Sequence, residues 1–457
     1  MASTSNLIAG LDRARLAEVA RREAQRYEAA RPRTRAALAD GAGAFLDAVP
    51  MHWMKDWPMP FAMLVAEAKG ARLTDIDGNT LDDFCLGDTG SMFGHSPAPV
   101  ARAIRAQVGR GLTYMLPTEA ALEAGRLLSA RFGAFAWQIA TTATDANRFA
   151  LRVARAVTGK PKVLVFNGCY HGTVDDAMVE CQGGVTAARP GLVGQVEDLT
   201  LVAACAEFND LASVEAQLAT GEIAAILTEP VMTNSCMVLP ASGFHEGLRA
   251  LATRYGALLI IDETHTISSG LGGYTRVHGL DPDIFVIGKC VAGGVPTAAW
   301  GLRPDVAEAY LRYNETRPAG HSGMGTTLSA NPMQFAALVA TLAEVMTPAA
   351  YATMEAGAAR LAAGLSAAIA AAGLPWHVVR VGARVEFICA PGPLANGAEA
   401  ARAHVPEVEA VLHTALLNRG TLIAPFHNMM LVSPATGRRQ IDRLIAAFTD
   451  ILDELTA

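Results

Sequence analysis

From about residue 97 onward, the chain alternates between helical patterns and short runs of strand-forming aliphatic residues. The runs are KVLVF (162–166), AAILTE (224–229), ALLIIDE (257–263), DIFVIG (283–288) and TAAWGL (297–302). Short apolar runs that alternate with helices are typical of parallel strands whose two faces are both covered. The pattern therefore predicts an α/β domain with a largely parallel sheet between layers of helices.

The flanking segments show a different pattern, which predicts a second, smaller α+β lobe. Residues 10–30 have the periodicity of an amphipathic helix, and residues 70–85 alternate as a hairpin that turns at Asp77 and Gly78. After a predicted helix from about 330 to 347, helices and short strands follow one another to the C-terminus. We expect three parts, namely an N-terminal segment (1–75) that packs with the small domain, a large domain (76–330) and the small domain (331–457).

Two of the apolar runs end at, or are directly followed by, an ionisable residue. Asp262 closes the run ALLIID, and Lys289 directly follows DIFVIG. Ligands of open α/β sheets bind beyond the carboxyl ends of the strands, so both side chains are expected to face one crevice. Taken singly, such an Asp is more often a helix cap or turn former, and such a Lys is more often an ion-pair partner.

Two further junctions add chemistry to the same edge. In IATTATDANRFALRVARAVTG (139–159), Thr142 and Thr144 lie at the start of an amphipathic helix, where main-chain N–H groups form a seat for phosphate. In VFNGCYHG (165–172), Tyr170 and His171 lie on a turn flanked by glycines. An anion seat, a stacking surface, a carboxylate and a lysine match the needs of pyridoxal phosphate (PLP), which requires a lysine to form an imine and an acid to keep its ring nitrogen protonated.

Composition narrows the range of partners. The chain has 457 residues and a net charge of −7, so a basic surface that binds nucleic acid is not expected. Its seven cysteines form no CxxC or CxxH pair, so we expect a reducing cytoplasm, no metal site and no disulfide framework. We find neither the apolar core of a signal peptide nor an apolar run long enough to span a bilayer, so a membrane partner is not expected.

The ordered series of motifs resembles the class III aminotransferases, a family of fold type I PLP enzymes, from about residue 60 to the C-terminus. The matching segments are ATTATDANRFALRVARAVTGKPKVLVFNGCYHG, DETHTISSG, GKCVAGGVP and TTLSANP. The likeness is greatest to glutamate-1-semialdehyde aminomutases and β-amino-acid aminotransferases. It implies a large domain whose mostly parallel sheet has seven strands between helices, together with a smaller α+β domain.

The resemblance implies a role for each matching residue around PLP. Lys289 would form the internal aldimine and move protons, and Asp262 would pair with the pyridine nitrogen. Tyr170 would stack on one face of the ring with His171 beside it, and Thr264, where the family usually has valine, would lie against the other face.

The remaining cofactor contacts are also implied by the resemblance. Thr142, Ala143 and Thr144 occupy the place of the family's Ser-Gly-Thr phosphate turn, and His265 occupies the slot of a glutamine near the phenolic oxygen. Thr327 matches a threonine that reaches the phosphate from the neighbouring subunit, which implies a homodimer with active sites at the interface.

Other positions depart from the family or leave a role open. Ala143 replaces a glycine, so the phosphate turn must tolerate a Cβ atom. Where β-amino-acid enzymes bind a substrate carboxylate with arginines, this chain has Trp53 and His427. Trp53 and Trp57 suggest an apolar substrate contact or ordinary packing.

The cations that could bind an acceptor carboxylate are Lys55, Arg380, Arg384 and His427. Glu229 matches a strand-end glutamate whose role is either structural or a contact to the site.

The resemblance implies a PLP-dependent aminotransferase. It would move an amino group from a primary amine or a β- or ω-amino acid to a 2-oxo acid, through a Lys289 aldimine and pyridoxamine phosphate. An aminomutase of the glutamate-1-semialdehyde type uses the same residues to move the amine within one molecule and stays open as an alternative. A racemase of the same fold is a further possibility, whereas an idle binding protein is disfavoured because Asp262 and Lys289 are both present.

Overall fold

A computed structural model of the chain describes residues 6–41, 43–425 and 427–457. Its helices are α1 (Arg13–Ala29), α2 (Pro32–Gly41), α3 (Ala98–Val108), α4 (Glu119–Phe132), α5 (Ala143–Thr158), α6 (Leu211–Leu218), α7 (Phe244–Tyr255), α8 (Gly273–His278), α9 (Pro304–Thr316), α10 (Pro332–Ala340), α11 (Pro348–Ala371), α12 (Gly397–Ala403), α13 (Pro406–Asn418) and α14 (Arg438–Thr456).

The strands are mostly short. They are β1 (Leu7–Ile8), β2 (Leu11–Asp12), β3 (Val65–Lys69), β4 (Arg72–Asp75), β5 (Thr80–Asp83), β6 (Ala136–Ala140), β7 (Lys162–Phe166), β8 (Val179–Gln182), β9 (Val185–Ala188), β10 (Ala203–Ala206), β11 (Ile223–Thr228), β12 (Leu258–Asp262), β13 (Ile284–Ile287), β14 (Ala298–Leu302), β15 (His377–Val381), β16 (Arg384–Ile388), β17 (Thr421–Leu422) and β18 (Met429–Leu431).

The chain divides into two compact units. The large unit comprises residues 98–348 and 394–402, and the small unit comprises residues 1–97, 349–393 and 403–457. The division falls at residues 97 and 348, whereas the sequence pattern placed it near 75 and 330. The hairpin of β4 and β5 belongs to the small unit because β5 pairs with β17, near the C-terminus.

The large unit is built on a sheet of seven strands in the order β10-β7-β11-β12-β13-β14-β6. All pairings are parallel except those of β14, which runs antiparallel to both of its neighbours. This confirms the predicted α/β fold with a mostly parallel sheet. The sequence pattern did not identify β10 (AACA), and it indicated β6 (AWQIA) only through the strand-to-helix junction at 139–159, because neither has the run of branched aliphatics that indicates a buried strand.

The helix α10 belongs to the large unit because of how it begins. Asn331 and Gln334 form a reciprocal capping box at its start. The side-chain amide of Gln334 also donates to the main-chain oxygens of Ala140 and Pro296, at 3.2 and 2.9 Å. The predicted long helix near 330–347 is therefore α10 continued by a π-helical turn at Thr341–Val345.

The small unit has its own hydrophobic core. On β16, Val385 and Phe387 face this core, and the ring of Phe387 lies 4.9 Å from that of Phe448 on α14. The sheet β15-β16-β18 and the helices α11, α13 and α14 contribute to the same cluster. The alternating pattern of the C-terminal region thus builds the predicted α+β lobe.

Among the described residues, no single helix has both the length and the apolar composition needed to cross a membrane. The helical segments 332–345 and 348–371 reach that length and apolar composition only when they are joined, and the chain bends by 72° between them.

Candidate active site

The carboxyl ends of the parallel strands bring the predicted residues to one edge of the sheet. Asp262 is the last residue of β12 and pairs with Val286 on the neighbouring strand β13, which Lys289 follows after Gly288. The strand β6 runs parallel to β13 across the antiparallel β14, so Ala140 ends at this same edge. The sheet therefore gathers the acid, the lysine and the start of α5 in one region.

Lys289 has a strained backbone. Its φ is 50°, in the left-handed region that side chains with a Cβ rarely adopt, and it begins a 3-10 turn at Lys289–Ala292. A Cβ on Gly288 would lie 2.9 Å from the Cβ of Ala143, so the lysine turn packs directly against the first residue of α5. Strain of this kind persists where the surrounding structure holds a residue for function.

The carboxylate of Asp262 is buried and accepts three hydrogen bonds. Asn147 Nδ2 and His171 Nδ1 lie 2.8 and 3.0 Å from its Oδ2, and the main-chain N–H of Thr264 donates to Oδ1 at 3.0 Å. Asp262 is 3% exposed and His171 is 2% exposed. The acid is thus held rigidly by donors from three different segments of the chain.

The electrostatics of this pair favour an ionised acid. Burial by itself would raise the pKa of Asp262, but the hydrogen bond and the charge of His171, with the donors from Thr264 and Asn147, hold it below its usual range. Burial would lower the pKa of His171, but Cys169 and the Asp262 carboxylate raise it overall to about 10. The buried groups therefore form an ion pair at neutral pH.

Asn147 was not predicted from the sequence. Its Nδ2 also donates to the main-chain oxygen of His171 at 3.1 Å, so one amide ties α5, the 165–172 turn and Asp262 together. A signal was present, because Asn147 is a polar residue on the face of α5 that is otherwise apolar and buried. The buried residues of that helix are Ala146, Asn147, Phe149, Ala150, Leu151, Val153 and Ala154.

The predicted phosphate turn lies at the start of α5. Thr142 is the N-cap, and its Oγ1 accepts a hydrogen bond from the main-chain N–H of Asp145 at 3.1 Å. Ala143 begins the helix and is not among the residues with positive φ, so a glycine is not required there. The first N–H groups of a helix have no intrahelical acceptor and carry the positive end of the helix dipole, which suits a phosphate.

The turn that carries Tyr170 and His171 packs against this helix start. The main-chain N–H of Thr173 donates to Thr144 Oγ1 at 3.3 Å. Gly172 has a φ of 79°, and a Cβ there would overlap the Thr144 hydroxyl, so only glycine fits this approach. The side chain of Tyr170 remains 44% exposed.

Thr264 and His265 continue the chain from Asp262 and are both buried. The main-chain oxygen of His265 accepts a hydrogen bond from the hydroxyl of Ser268 at 3.0 Å, which closes the short 3-10 turn at Thr266–Ser269. Their predicted contacts to the cofactor ring and to its phenolic oxygen stay predictions.

Thr327 lies on an exposed loop of the large unit. Ser329 anchors this loop, because its hydroxyl lies 2.7 Å from that of Thr326 and 3.1 Å from that of Thr141, close to the phosphate turn in sequence. The predicted contact of Thr327 with a neighbouring subunit's phosphate also stays a prediction.

The predicted substrate residues all belong to the small unit. Trp53 is 40% exposed, and Trp57 makes an edge contact with the ring of His413 at 5.6 Å. His427 is buried, with its Nδ1 at 3.6 Å from Glu386 Oε2. Trp57 therefore has a packing role, and the substrate roles of all three residues stay predictions.

Besides the buried His427, three candidate cations for an acceptor carboxylate differ in burial. Lys55 is half exposed and pairs with Asp47 at 2.6 Å, and Arg380 bonds a nearby main-chain oxygen on the surface. Arg384 is fully buried on the face of β16 opposite the core, where its guanidinium bonds the hydroxyl of Thr89. Burial thus singles out Arg384 among the arginine and lysine candidates of the small unit.

Glu229 lies in the loop after β11 and is buried. Its carboxylate bonds the hydroxyl and the main-chain N–H of Thr233, and Asn234 Nδ2 lies 3.4 Å from it. Burial raises the pKa of Glu229, and the charge of His171 opposes this rise. These contacts give Glu229 a structural role in its own loop.

A family model described as Aminotransferase class-III matches residues 54–452. The chain belongs to the class-III aminotransferases. It is therefore an enzyme of the PLP-dependent transaminase kind, and PLP is its cofactor.

Curated relatives support the assignment to this family. A glutamate-1-semialdehyde 2,1-aminomutase of Roseiflexus castenholzii is 36% identical over 397 residues, which cover 85% of this chain and 89% of the relative. The enzyme of the same name from Desulforudis audaxviator is 34% identical over 385 residues, which cover 83% and 88% of the two chains.

Solved structures show the same fold. A glutamate-1-semialdehyde aminomutase from Pseudomonas aeruginosa PAO1 is 48% identical, with a TM-score of 0.95 over 98% of this chain and 100% of that chain. A lysine-to-alanine variant of a Pseudomonas aeruginosa aminomutase was solved in complex with PMP. A β-phenylalanine aminotransferase from Variovorax paradoxus is 27% identical, with a TM-score of 0.85 over 96% and 97% of the two chains.

The residues at the edge of the sheet fit PLP. Each residue that donates a hydrogen bond to Asp262 also has one buried polar atom with no hydrogen bond among the described residues. These atoms are Asn147 Oδ1, His171 Nε2 and Thr264 Oγ1. Buried polar atoms are rarely left without partners, and a polar heterocycle with a phosphate can supply them. Within the described ranges, no group of three or more His, Cys, Asp and Glu residues could hold a metal ion.

We expect Lys289→Ala to lower turnover by more than about 10⁴-fold, the upper end of what an acid–base residue contributes, because the variant also loses its covalent link to the cofactor. Borohydride reduction followed by mass spectrometry should attach PLP to the wild type and not to the variant, which should still bind PLP noncovalently. Retained turnover, or a covalent adduct elsewhere on the variant, would refute this role.

We expect Asn147→Leu to weaken PLP binding by about tenfold or more, because Asp262, the predicted partner of the ring nitrogen, loses one of its three donors. A hydrogen bond to a charged group is worth roughly 1.5–3 kcal/mol. Equilibrium titration with PLP measures the change, and a shifted pH dependence of the cofactor's absorption would show that Asp262 has moved. Thr158→Val on the same helix is the control, since the Thr158 hydroxyl bonds only main-chain groups of residues 154 and 160 in the described structure, far in sequence from Asp262. Equal PLP affinity in the two variants would contradict a positioning role for Asn147.

Proposed function

We propose that this enzyme is an aminomutase of the glutamate-1-semialdehyde type, which moves an amino group between neighbouring carbon atoms of one molecule. The observation that carries the proposal is the 48% identity to an enzyme of that name over 98% of this chain, together with the curated relatives of the same name. These likenesses favour the alternative that the sequence left open over transfer between two molecules.

The residues of the large unit supply what either reaction needs. Bound PLP supplies an aldehyde that combines with amines and a ring that accepts electrons from the substrate. Lys289 would hold the cofactor between turnovers, and its amine would carry the proton that has to leave and rejoin the substrate carbon. Asp262 is kept ionised by His171, Asn147 and Thr264. Its carboxylate would keep the ring nitrogen protonated.

The lowered pKa of Asp262 sets the pH range over which its carboxyl group is ionised. The pKa of this carboxyl is held below its ordinary value, so the stabilising charge is present above that value and is lost only as the pH falls through the lowered pKa. Mild acidification therefore leaves Asp262 ionised. Loss of activity just below neutrality would have to come from a different group.

Transamination between two molecules is the second candidate. It is favoured by the structural likeness to the Variovorax paradoxus β-phenylalanine aminotransferase and to an ω-transaminase from Sphaerobacter thermophilus, which is 26% identical with a TM-score of 0.84 over 92% of this chain. In that case a primary amine or a β- or ω-amino acid is the donor and a 2-oxo acid is the acceptor. Lys289 and Asp262 have the same tasks in both reactions.

The two candidates differ in whether a separate acceptor is needed. We expect the enzyme to convert glutamate-1-semialdehyde to 5-aminolevulinate over many turnovers with no 2-oxo acid added, because the amino group stays within one molecule. Product formation by chromatography against time is the measurement, with Lys289→Ala as the inactive control. Turnover that stops after one equivalent and resumes on addition of pyruvate or 2-oxoglutarate would instead establish a transaminase.

We infer further that the enzyme works in the cytoplasm as a homodimer with its active sites at the interface. Four large apolar side chains between α3 and the middle of α4 are strongly exposed in the single chain, namely Leu112 (46%), Met115 (79%), Leu116 (71%) and Leu122 (70%). Exposed apolar patches of this kind mark protein contacts. The free thiols of all seven cysteines support a reducing compartment.

A subunit-mixing experiment tests the proposed role of Thr327. We expect Thr327→Ala to weaken PLP binding and to abolish activity at limiting cofactor, because a phosphate contact is lost. A hybrid of a Thr327→Ala subunit with a Lys289→Ala subunit should then contain one intact site, so an equal mixture should regain about a quarter of wild-type activity.

The control for this experiment is Thr353→Ala, an exposed threonine whose hydroxyl bonds its own helix at 2.9 Å. That variant should bind PLP normally. No recovery of activity in the mixture, with hybrids demonstrated by mass spectrometry, would show that Thr327 acts within its own subunit.

A further inference from the structure

A strongly basic cavity lies beside the outer face of α5 in the large unit. It has a volume of about 900 Å³ and is lined by five basic side chains and two acidic ones, namely Arg148, Arg152, Arg155, Lys160, Arg317, Asp175 and Asp176. The whole chain carries a net charge of −7, so this local excess of positive charge is a marked departure from the rest of the protein. A concave surface lined by one sign of charge concentrates ions of the opposite sign.

Two of these cations are held in place by neutral acceptors. Lys160 Nζ donates to the main-chain oxygens of residues 255 and 256 at 2.6 and 3.1 Å. Arg317 Nε donates to Asn314 Oδ1 at 2.7 Å. Because these acceptors carry no charge, both side chains are positioned while their positive charge stays available to a ligand.

The arginines of α5 are only partly compensated. Arg155 is paired with Asp176 at 2.5 Å, and Arg148 lies at 3.8 Å from Asp145. Arg152 lies between them on the same helix face and makes no ion pair with a carboxylate among the described residues. A Cβ on Gly323 would lie 2.8 Å from its guanidinium, so the neighbouring loop packs against Arg152 and restrains it.

A second, smaller pocket adjoins the basic cavity. Its volume is about 360 Å³, and it shares Tyr310, Ser322 and Met324 with the larger cavity. The walls of this pocket are mainly apolar and include Ile139, Phe149, Trp300, Leu302 and Leu311. The two pockets are therefore neighbours, one with mainly charged walls and the other with mainly apolar walls.

The apolar pocket contains a polar group without a partner. Trp300 is 4% exposed, and its indole N–H has no hydrogen-bond acceptor among the described residues. A buried indole N–H usually has an acceptor, so the lack of one here is unusual. Gln138, which pairs with Trp300 across β14 and β6, lines the same pocket and offers a further amide.

We propose that these joined pockets bind an amphipathic anion, in which a flat heteroaromatic group is linked to two or more phosphate or carboxylate groups. The ring occupies the apolar pocket and accepts a hydrogen bond from Trp300, and the anionic groups meet Arg148, Arg152 and their basic neighbours. The site is separate from the proposed cofactor seat, since the residues Thr142 to Thr144 do not line it. A nucleoside diphosphate has the required chemistry.

The test uses the PLP-loaded enzyme and three probes, namely ADP, pyrophosphate and adenosine, with binding measured by calorimetry. ADP should bind more tightly than either part alone, and its affinity should fall as salt is raised. The double variant Arg148→Gln, Arg152→Gln should lose at least about tenfold in ADP affinity, because hydrogen bonds to charged groups are among the stronger ones. Trp300→Phe should weaken ADP and adenosine binding and leave pyrophosphate binding unchanged.

The matched control is Arg312→Gln on α9, an exposed arginine paired with Glu308 at 2.5 Å and not part of the lining. It should bind ADP like the wild type. The visible spectrum should show that PLP stays bound throughout, which separates this site from the phosphate seat. The proposal fails if ADP does not bind the wild type, if the double variant binds it equally well, or if that variant dissociates into monomers, since the cations would then serve contacts between two copies of the chain.

Discussion

The ion pair between Asp262 and His171 is the constraint on which the rest of the active site depends. A buried carboxylate is costly unless donors surround it, and here the donors come from α5, from the turn after β7 and from the loop after β12. Each donor can bond the same acid only if these segments approach closely at one edge of the sheet. The electrostatic requirement of one residue therefore dictates the packing of three segments.

Close approach of the main chain completes this arrangement. Gly288 and Gly172 leave no room for a side chain where the lysine turn and the aromatic turn meet the start of α5. Lys289 takes a left-handed conformation at the same place, and such strain is retained only where neighbouring contacts outweigh it. The turns are thus held against the start of α5 by steric fit as well as by hydrogen bonds.

The helix α5 links the features of the large unit. Its first residues form the predicted phosphate seat, Asn147 on its inner face donates a hydrogen bond to Asp262, and its outer face carries the arginines of the basic cavity. Phe149, on the same helix, lies 6.3 Å from the ring of Trp300 in the adjoining apolar pocket. A ligand in the joined pockets would therefore touch the helix that also holds Asp262 in place.

The sequence by itself determined the α/β sheet, the placement of Asp262 and Lys289 at strand ends and the helix start at Thr142, because these follow from local periodicity and from the direction of parallel strands. It did not indicate Asn147, whose partner lies far away in the chain, or the pairing of His171 with Asp262. The Arg152 cavity and the unpartnered Trp300 were equally invisible. Tertiary structure decided these features, because burial and hydrogen bonding depend on which distant segments meet, and no local pattern encodes that meeting.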